Sequence, residues 1–275
     1  MGFLFGKIKK IDLMPINEFV IYVATPCLMI SALSRSPIDL TIAAKVCIAV
    51  LIVSGGSLII GYFTIRFMGL AQRVYLPPVA FANTGNMGLP LVLFAFGPEG
   101  FNVGIIYMVA TTVVQYTAGV SILSYKESRW EVFKLPLIYS AGLGVWLSVS
   151  GWQMPLPVDR AVDLLGQATI PTMIFALGYK LSEINLQDIG KSFFFGGLRI
   201  VGGFGLGVLA AFVLGLNGLS ARVVMLDAAM PPAVFNFVLA EKYGQNSKIV
   251  ASIIMAGTVL SAITTPIVLA LLFRS

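Results

Sequence analysis

Apolar runs follow one another along nearly the whole of this 275-residue chain. Because about 20 apolar residues cross the hydrocarbon core of a bilayer, each run is long enough to be a membrane span. Nine spans are predicted, at 13–33, 40–65, 75–97, 101–124, 135–152, 159–179, 192–216, 220–240 and 247–273. Only 11% of the residues are charged, against roughly 25% in a soluble domain. We therefore expect an all-α polytopic membrane protein that forms one compact unit and retains its first apolar run as a span.

The third run is interrupted by the segment Asn83-Thr84-Gly85-Asn86-Met87-Gly88-Leu89-Pro90. Glycine is conformationally free in the unfolded chain, and proline lacks an N–H and clashes with the preceding helical turn. The segment therefore predicts a break in the helix. Backbone that is not helical persists in a membrane only where protein or a water-filled cavity satisfies it, so a broken span indicates a transport site.

Sequence landmarks recur about 145 residues apart. The segment Ala-Thr-Pro at 24–26 is similar to Ala-Thr-Ile-Pro at 168–171, and Phe-Gly at 96–97 is similar to Tyr-Gly at 243–244. The same offset predicts a second break within Ala229-Met230-Pro231-Pro232-Ala233. Since an odd number of predicted spans separates equivalent points, the two repeats are expected to be inverted, an arrangement typical of secondary transporters.

The predicted repeats divide the chain into 1–124 with four spans, a linker at 125–134, and 135–275 with five spans. A plan of five plus five helices is expected, with the first helix missing or truncated. Twelve of the 18 basic residues fall in loops on one predicted side, five fall on the other, and Arg199 lies within a span. Because basic loops stay inside, we expect a cytoplasmic linker and an outside C-terminus in the plasma (inner) membrane. The net charge of +6 comes from lysines and arginines in the loops between spans and does not indicate nucleic-acid binding.

Several residue types narrow the possible chemistry. The chain contains no histidine, which excludes a histidine metal site or proton relay. Cys27 and Cys47 lie within predicted spans and are expected to be small buried hydrophobes rather than a disulfide. A close-packing helix face is predicted from six glycines, Gly196, Gly197, Gly202, Gly203, Gly205 and Gly207. No Walker-type loop is present, so ATP is not the expected energy source, and no cofactor or metal is expected.

The break at 83–90, together with Ala229-Met230-Pro231 and the segment 237–243, Phe-Val-Leu-Ala-Glu-Lys-Tyr, resembles the auxin efflux carrier family, in its bacterial form. The resemblance covers nearly the whole chain from Lys7. It implies two inverted repeats of five helices, with one broken helix in each repeat crossing the other at the membrane midplane. It also implies alternating-access transport of a small organic anion, such as a carboxylate, a dicarboxylate or an auxin-like acid. Where plant members tend to have a polar residue after the second crossover proline, this chain has Pro232.

The two breaks predict an anion site built from helix N-termini and neutral amides. Unpaired N–H groups and the partial positive charge at a helix N-terminus bind anions without a lysine or arginine. The predicted substrate-binding residues are Asn83, Thr84, Gly85, Asn86, Gly88, Gln115, Pro231, Pro232 and Asn236, and the predicted helix-breaking residues are Pro90, Pro231 and Pro232. The alternative is that the asparagines only satisfy carbonyls freed by the breaks, and that Gln115 only bonds between helices.

Asp227 is the one carboxylate predicted to lie deep in a span. It is the candidate for coupling transport to H⁺ or Na⁺. The alternative is a structural ion pair with Arg199. A further alternative for Arg199 is a side chain that only extends to the cytoplasmic surface.

The predicted function is a secondary carrier of small organic anions. A cation/proton antiporter of similar fold and a non-transporting receptor or channel are the alternatives. An intramembrane enzyme is disfavoured because the chain lacks histidine and has a single deep aspartate. The spans 13–33, 40–65, 159–179 and 192–216 are expected to belong to a scaffold, and contacts through 13–33 and 159–179 predict a homodimer.

Overall fold

The computed structural model describes residues 1–35, 39–123, 136–182 and 188–274, and these residues form helices without a β-strand. The predicted linker at 125–134 lies outside the described residues. The helices are α1 (Gly2–Ile8), α2 (Met14–Ser34), α3 (Leu40–Phe67), α4 (Gln72–Ala80), α5 (84–96), α6 (98–123), α7 (Pro136–Ser150), α8 (Leu156–Gln167), α9 (Thr169–Ser182), α10 (Ile189–Val213), α11 (Gly218–Ala228), α12 (Phe235–Lys242) and α13 (Ser247–Arg274).

The helix lengths and compositions confirm a polytopic membrane protein. By length and composition, five helical runs in the described chain are long and apolar enough to cross a bilayer, namely Met14–Ser34, Leu40–Phe67, Thr84–Leu123, Ile189–Val213 and Ser247–Arg274. Of these, Thr84–Leu123 is divided at Gly97. A sixth, α7, is apolar but shorter. The predicted spans 75–97, 159–179 and 220–240 are each divided into two helices. The total of nine crossings and the inverted orientation of the repeats stay predictions.

A reversal at Gly97 separates α5 from α6. Gly97 has φ 65° and ψ −166°, a conformation that residues with a side chain rarely adopt, and Pro98 follows it. Beyond the reversal, Gly104 packs against Val92. The two helices are therefore antiparallel neighbours, and the start of α5 lies beside the middle of α6.

The order of long and short helices in 40–123 recurs in 189–274. The helix α3 ends at a left-handed glycine, Gly69, whose following residue donates its N–H to the carbonyl of Ile65. The helix α10 ends in the same way at Gly215, with Leu216 donating to Ala211. Such caps satisfy carbonyls that the end of a helix leaves free. Equivalent helices thus stop with the same backbone geometry at the spacing of the predicted repeat.

The glycines of α10 bring neighbouring helices close on one side only. Gly196 approaches the backbone of Gly257 in α13, where an added Cβ would lie 2.8 Å from the Gly257 nitrogen. Gly203 and Gly207 lie against α11. The predicted packing face is confirmed at these positions. It is wrong for two of the six glycines, Gly202 and Gly205, which face open space, because they lie on another side of the helix.

Both cysteines are free thiols. Cys27 is partly buried and Cys47 is exposed, so the prediction that both are buried hydrophobes is wrong. The exposed surface of an apolar membrane helix faces lipid, and an apolar run alone does not distinguish that surface from the interior. Cys47 lies on an outward-facing part of α3.

Candidate transport site

The two helix breaks lie directly against each other. Between α4 and α5, residues 81–83 are not helical, and between α11 and α12 the residues around Pro232 are not helical either. Ala82 and Pro232 form an antiparallel bridge. The Asn83 N–H donates to the Pro231 carbonyl at 2.8 Å, and the Ala233 N–H donates to the Phe81 carbonyl at 2.9 Å. We call residues 81–83 and 231–233 the junction.

The bridge explains why two consecutive prolines are tolerated here. Both hydrogen bonds use N–H groups of the residues that follow the paired positions, so the missing N–H of Pro232 removes no bond from the bridge. Pro231 contributes its carbonyl only. The Pro232 ring packs against Gly257, where a side chain would overlap it. Both prolines are buried and act through the backbone, which gives Pro232 a structural role in place of a polar contact.

The first break begins earlier than the sequence predicts. Helix α4 ends at Ala80, and Thr84–Gly88, predicted as part of the break, form a single π-helical turn. Pro90 lies within α5 and has no N–H to bond to the carbonyl of Asn86. The π-helical turn, which is wider than an α-helical turn, lies just before this missing bond. The break falls at 81–83 because these residues pair with 231–233, an interaction between distant parts of the chain.

The N-terminal end of α5 presents several donors without partners. The backbone N–H groups of Gly85, Asn86 and Met87 make no hydrogen bond with a described residue. The Asn83 side chain is 4% exposed, and its Nδ2 has no partner in the described chain. Thr84 is also buried, whereas Gly85 and Asn86 are half-buried. This end of α5 therefore combines free donors with partial access.

Gln115 and Asn236 are bonded to each other. Gln115 Nε2 donates to Asn236 Oδ1 at 2.9 Å, and Asn236 Nδ2 donates to the Phe81 carbonyl at 3.4 Å. These bonds tie α6 and α12 to the junction. Asn236 is 1% exposed, so its geometry matches the alternative in which an amide satisfies a carbonyl freed by the break.

Asp227 is fully buried near the end of α11, beside the first turn of α5. Its carboxyl lies against Gly88 so closely that a Cβ on Gly88 would overlap Oδ1. Neither carboxyl oxygen accepts a hydrogen bond from a described residue. The Tyr107 phenol, which no sequence motif indicates, interacts electrostatically with both Asp227 and Arg199.

Arg199 is neither bonded to Asp227 nor directed to the surface, so both sequence-based interpretations of this side chain are wrong. It is 1% exposed. Its guanidinium donates to the Ser57 hydroxyl and to three backbone carbonyls, those of Val79, Ala80 and Ala228. The partners lie 29 to 142 positions away in the chain, so no local pattern identifies them.

Two apolar cavities lie away from the junction. One of about 960 Å³ is bordered by α1, α2 and α9. Another of about 430 Å³ lies between α3, α6 and α7. Neither is lined by any of the predicted site residues. No group of three metal-ligating side chains occurs among the described residues.

The family comparison identifies the kind of protein that carries this junction. A family model described as membrane transport protein matches residues 6–134 and 121–269. The chain belongs to the auxin efflux carrier family of membrane transporters. This carrier-family member is thus a transporter and not an enzyme.

Relatives with curated descriptions come from archaea, bacteria and plants. The carrier is 29% identical to an uncharacterized transporter of Methanothermobacter thermautotrophicus, over 95% of this chain and 90% of that protein. It is 27% identical to a putative malonate transporter of Rhizobium meliloti, over 90% of this chain and 83% of that protein. It is 28% identical to a probable auxin efflux carrier component 5b of Oryza sativa, over 48% of this chain and 38% of that protein.

Proposed function

We propose that this transporter is a secondary carrier of small carboxylate anions and binds its substrate at the N-terminal end of α5. The observation that carries this proposal is the set of free donors at that end, the Asn83 amide and the backbone N–H groups of 85–87. A buried donor without a partner costs free energy. A carboxylate would satisfy several such donors at once.

Neutral donors suit a carrier that must also release its substrate. Backbone N–H groups at a helix N-terminus favour an anion through hydrogen bonds and the helix dipole. Arg199, a buried cation, is already bonded to the carbonyls at the ends of α4 and α11. Binding then depends on the position of α5 relative to the junction, which a conformational change can alter.

The buried Asp227 supports coupling to protons. An anion at the start of α5 and an ionised carboxyl beside Gly88 repel each other, because both lie in surroundings of low dielectric. Binding of the anion therefore favours protonated Asp227, and protonation favours the anion, since linkage is reciprocal. The Tyr107 phenol interacts electrostatically with Asp227, and Arg199 acts on the same phenol. This arrangement makes H⁺ a better candidate than Na⁺ for the coupling ion.

Alternating access is proposed as the transport mechanism. Two inverted repeats, 1–124 and 135–275, would place the broken helices across each other at the midplane. The matched helix order and the paired glycine caps at Gly69 and Gly215 support a repeat. The cytoplasmic linker, the outside C-terminus and a homodimer through 13–33 and 159–179 belong to the same proposal.

The relative described as a putative malonate transporter makes malonate the first substrate to test. Purified protein in proteoliposomes should take up labelled malonate faster than empty vesicles do, and excess unlabelled dicarboxylate should compete. Binding of malonate without flux would support a receptor instead. A pH-driven Na⁺ flux with no organic substrate would support the antiporter. The absence of uptake across a panel of mono- and dicarboxylates would overturn the carrier proposal.

A further inference from the structure

Arg199 occupies an unusual position for an arginine in an apolar helix. It is the eleventh of the 25 residues of α10, which places it near the middle of the predicted span. A buried charge at that depth is costly unless protein groups satisfy it. The guanidinium Nη1 lies 3.1 Å from Ser57 Oγ, 3.2 Å from the Val79 carbonyl and 2.9 Å from the Ala80 carbonyl, and Nη2 lies 2.5 Å from the Ala228 carbonyl.

The three carbonyls belong to the C-terminal ends of both broken helices. Helix α4 ends at Ala80, and helix α11 ends at Ala228. A helix C-terminus leaves carbonyls without partners and carries a partial negative charge. In broken-helix transporters, such half-helix ends and unwound carbonyls coordinate the coupling cation. In this chain the same kind of acceptor is already bonded to a side chain.

We propose that the Arg199 guanidinium is a built-in cation that takes the place of a bound Na⁺ at the junction. One planar group reaches carbonyls from two different helices and a hydroxyl from α3, which a single point charge satisfies less well. An arginine side chain stays charged and cannot leave the protein. The junction therefore forms without a monovalent cation, and a Na⁺ gradient does not supply the driving force. Only the transport part of this inference rests on the proposed carrier function.

Thermal stability tests the inference independently of transport. The melting temperature of the purified protein is measured in NaCl, KCl and choline chloride at equal ionic strength. A required Na⁺ present at about 100 times its Kd would raise Tm by roughly 5–10 °C. We expect the three values for the wild type to agree. A specific increase in NaCl would overturn the proposal.

Substitutions at Arg199 provide a second test of the proposal. Arg199→Gln removes the charge and should lower Tm by roughly 10 °C, because carbonyls of both helix ends lose their donor. Added guanidinium or Na⁺ should recover part of that loss. The matched control is Arg222→Gln, which removes the same charge from a partly exposed position on α11 and should show neither effect. Equal melting temperatures for Arg199→Gln and Arg222→Gln would contradict the proposal.

Arg199→Lys keeps the test decisive if Arg199→Gln does not fold. It retains a cation with a more compact head group, so Tm should fall by less and still show no response to Na⁺. A rise in the Tm of this variant in NaCl alone would contradict the proposal, because the retained ammonium should already occupy the carbonyls. If Arg199→Lys has the same melting temperature as the wild type in every salt, the proposed role of the planar guanidinium group is overturned.

Malonate uptake in proteoliposomes then tests the consequence for transport. Replacing Na⁺ with choline on both sides should leave the wild-type rate unchanged, whereas a strict Na⁺ requirement would overturn the inference. If the wild type takes up no malonate in any salt, the carrier proposal fails, and the melting temperatures still decide the role of Arg199.

Discussion

The two sides of the junction differ in how their polar groups are satisfied. On the side where α4 and α11 end, the carbonyls of Val79, Ala80 and Ala228 all accept hydrogen bonds from Arg199. On the side where α5 begins, Asn83 Nδ2 and the backbone N–H groups of 85–87 have no described partner. The backbone carbonyls at the ends of α4 and α11 are thus occupied, whereas the donors at the start of α5 are free. Arg199 Nε and both Asp227 carboxyl oxygens also lack a described partner.

This difference separates an anchoring role from a binding role. Buried polar groups in folded proteins are nearly always hydrogen-bonded, and exceptions need an explanation. The side satisfied by Arg199 holds two helix ends together without a ligand. The side with free donors is incomplete without one. Substitutions on the two sides should therefore affect different quantities, stability on the first and substrate affinity on the second.

The largest effect on substrate affinity is expected from Asn83→Ala. Loss of one hydrogen bond to a carboxylate, worth roughly 1.5–3 kcal/mol, should weaken malonate binding by about 10-fold or more. Melting temperature should change little, because Asn83 Nδ2 has no partner to lose. Isothermal titration measures both the affinity and the stoichiometry. The control is Asn217→Ala, an exposed asparagine whose side chain bonds only to the Gly215 carbonyl, and wild-type affinity in Asn83→Ala would remove the binding role.

Asp227→Asn should abolish concentrative uptake and leave binding intact. The substitution keeps the shape of the side chain and removes a charge that has no described hydrogen-bond partner, so stability should not fall. Uptake against a malonate gradient, driven by an imposed pH gradient, is the measurement. A variant that still accumulates malonate would contradict the coupling role.

The double variant Asp227→Asn with Arg199→Gln sharpens this prediction. Because Arg199 bonds to carbonyls instead of Asp227, the two effects on melting temperature should add. Recovery of stability in the double variant would show that the two residues form an ion pair after all.

A matched pair of glycine substitutions tests the contact between α5 and Asp227. A Cβ at Gly88 overlaps the Asp227 carboxyl, so Gly88→Ala should cost about 1–3 kcal/mol of stability. Gly85→Ala should be close to neutral, since its Cβ meets only the Met108 sulfur at 3.5 Å. Chemical denaturation compares the two. Equal stability would mean that Asp227 lies elsewhere.

The smallest effect is expected from Gln115→Leu. It removes the 2.9 Å bond to Asn236, a neutral pair worth about 1 kcal/mol. Stability should fall by that amount and malonate affinity should stay close to wild type, in contrast to Asn83→Ala. A large loss of affinity without a loss of stability would make Gln115 a substrate contact.

Local features of the sequence predict the breaks but not their pairing. Glycines and prolines near 83–90 and 229–233 affect the backbone of adjacent residues, so the sequence alone predicts that the helices break there. The true first break, at 81–83, depends on hydrogen bonds to 231–233 across the fold. The role of Arg199 likewise depends on three carbonyls that come together only when both helix ends are in place. The predicted ion pair between Asp227 and Arg199 is wrong for this reason, whereas the coupling role of Asp227 stays a prediction.

The position of a bound substrate analogue tests the central claim most directly. Crystals grown with bromomalonate, measured at the bromine absorption edge, locate the ligand without assumptions about its orientation. The account predicts a bromine peak at the start of α5, with a carboxylate oxygen about 2.7–3.2 Å from Asn83 Nδ2. A peak beside Arg199, on the side of the junction where α4 and α11 end, would contradict it.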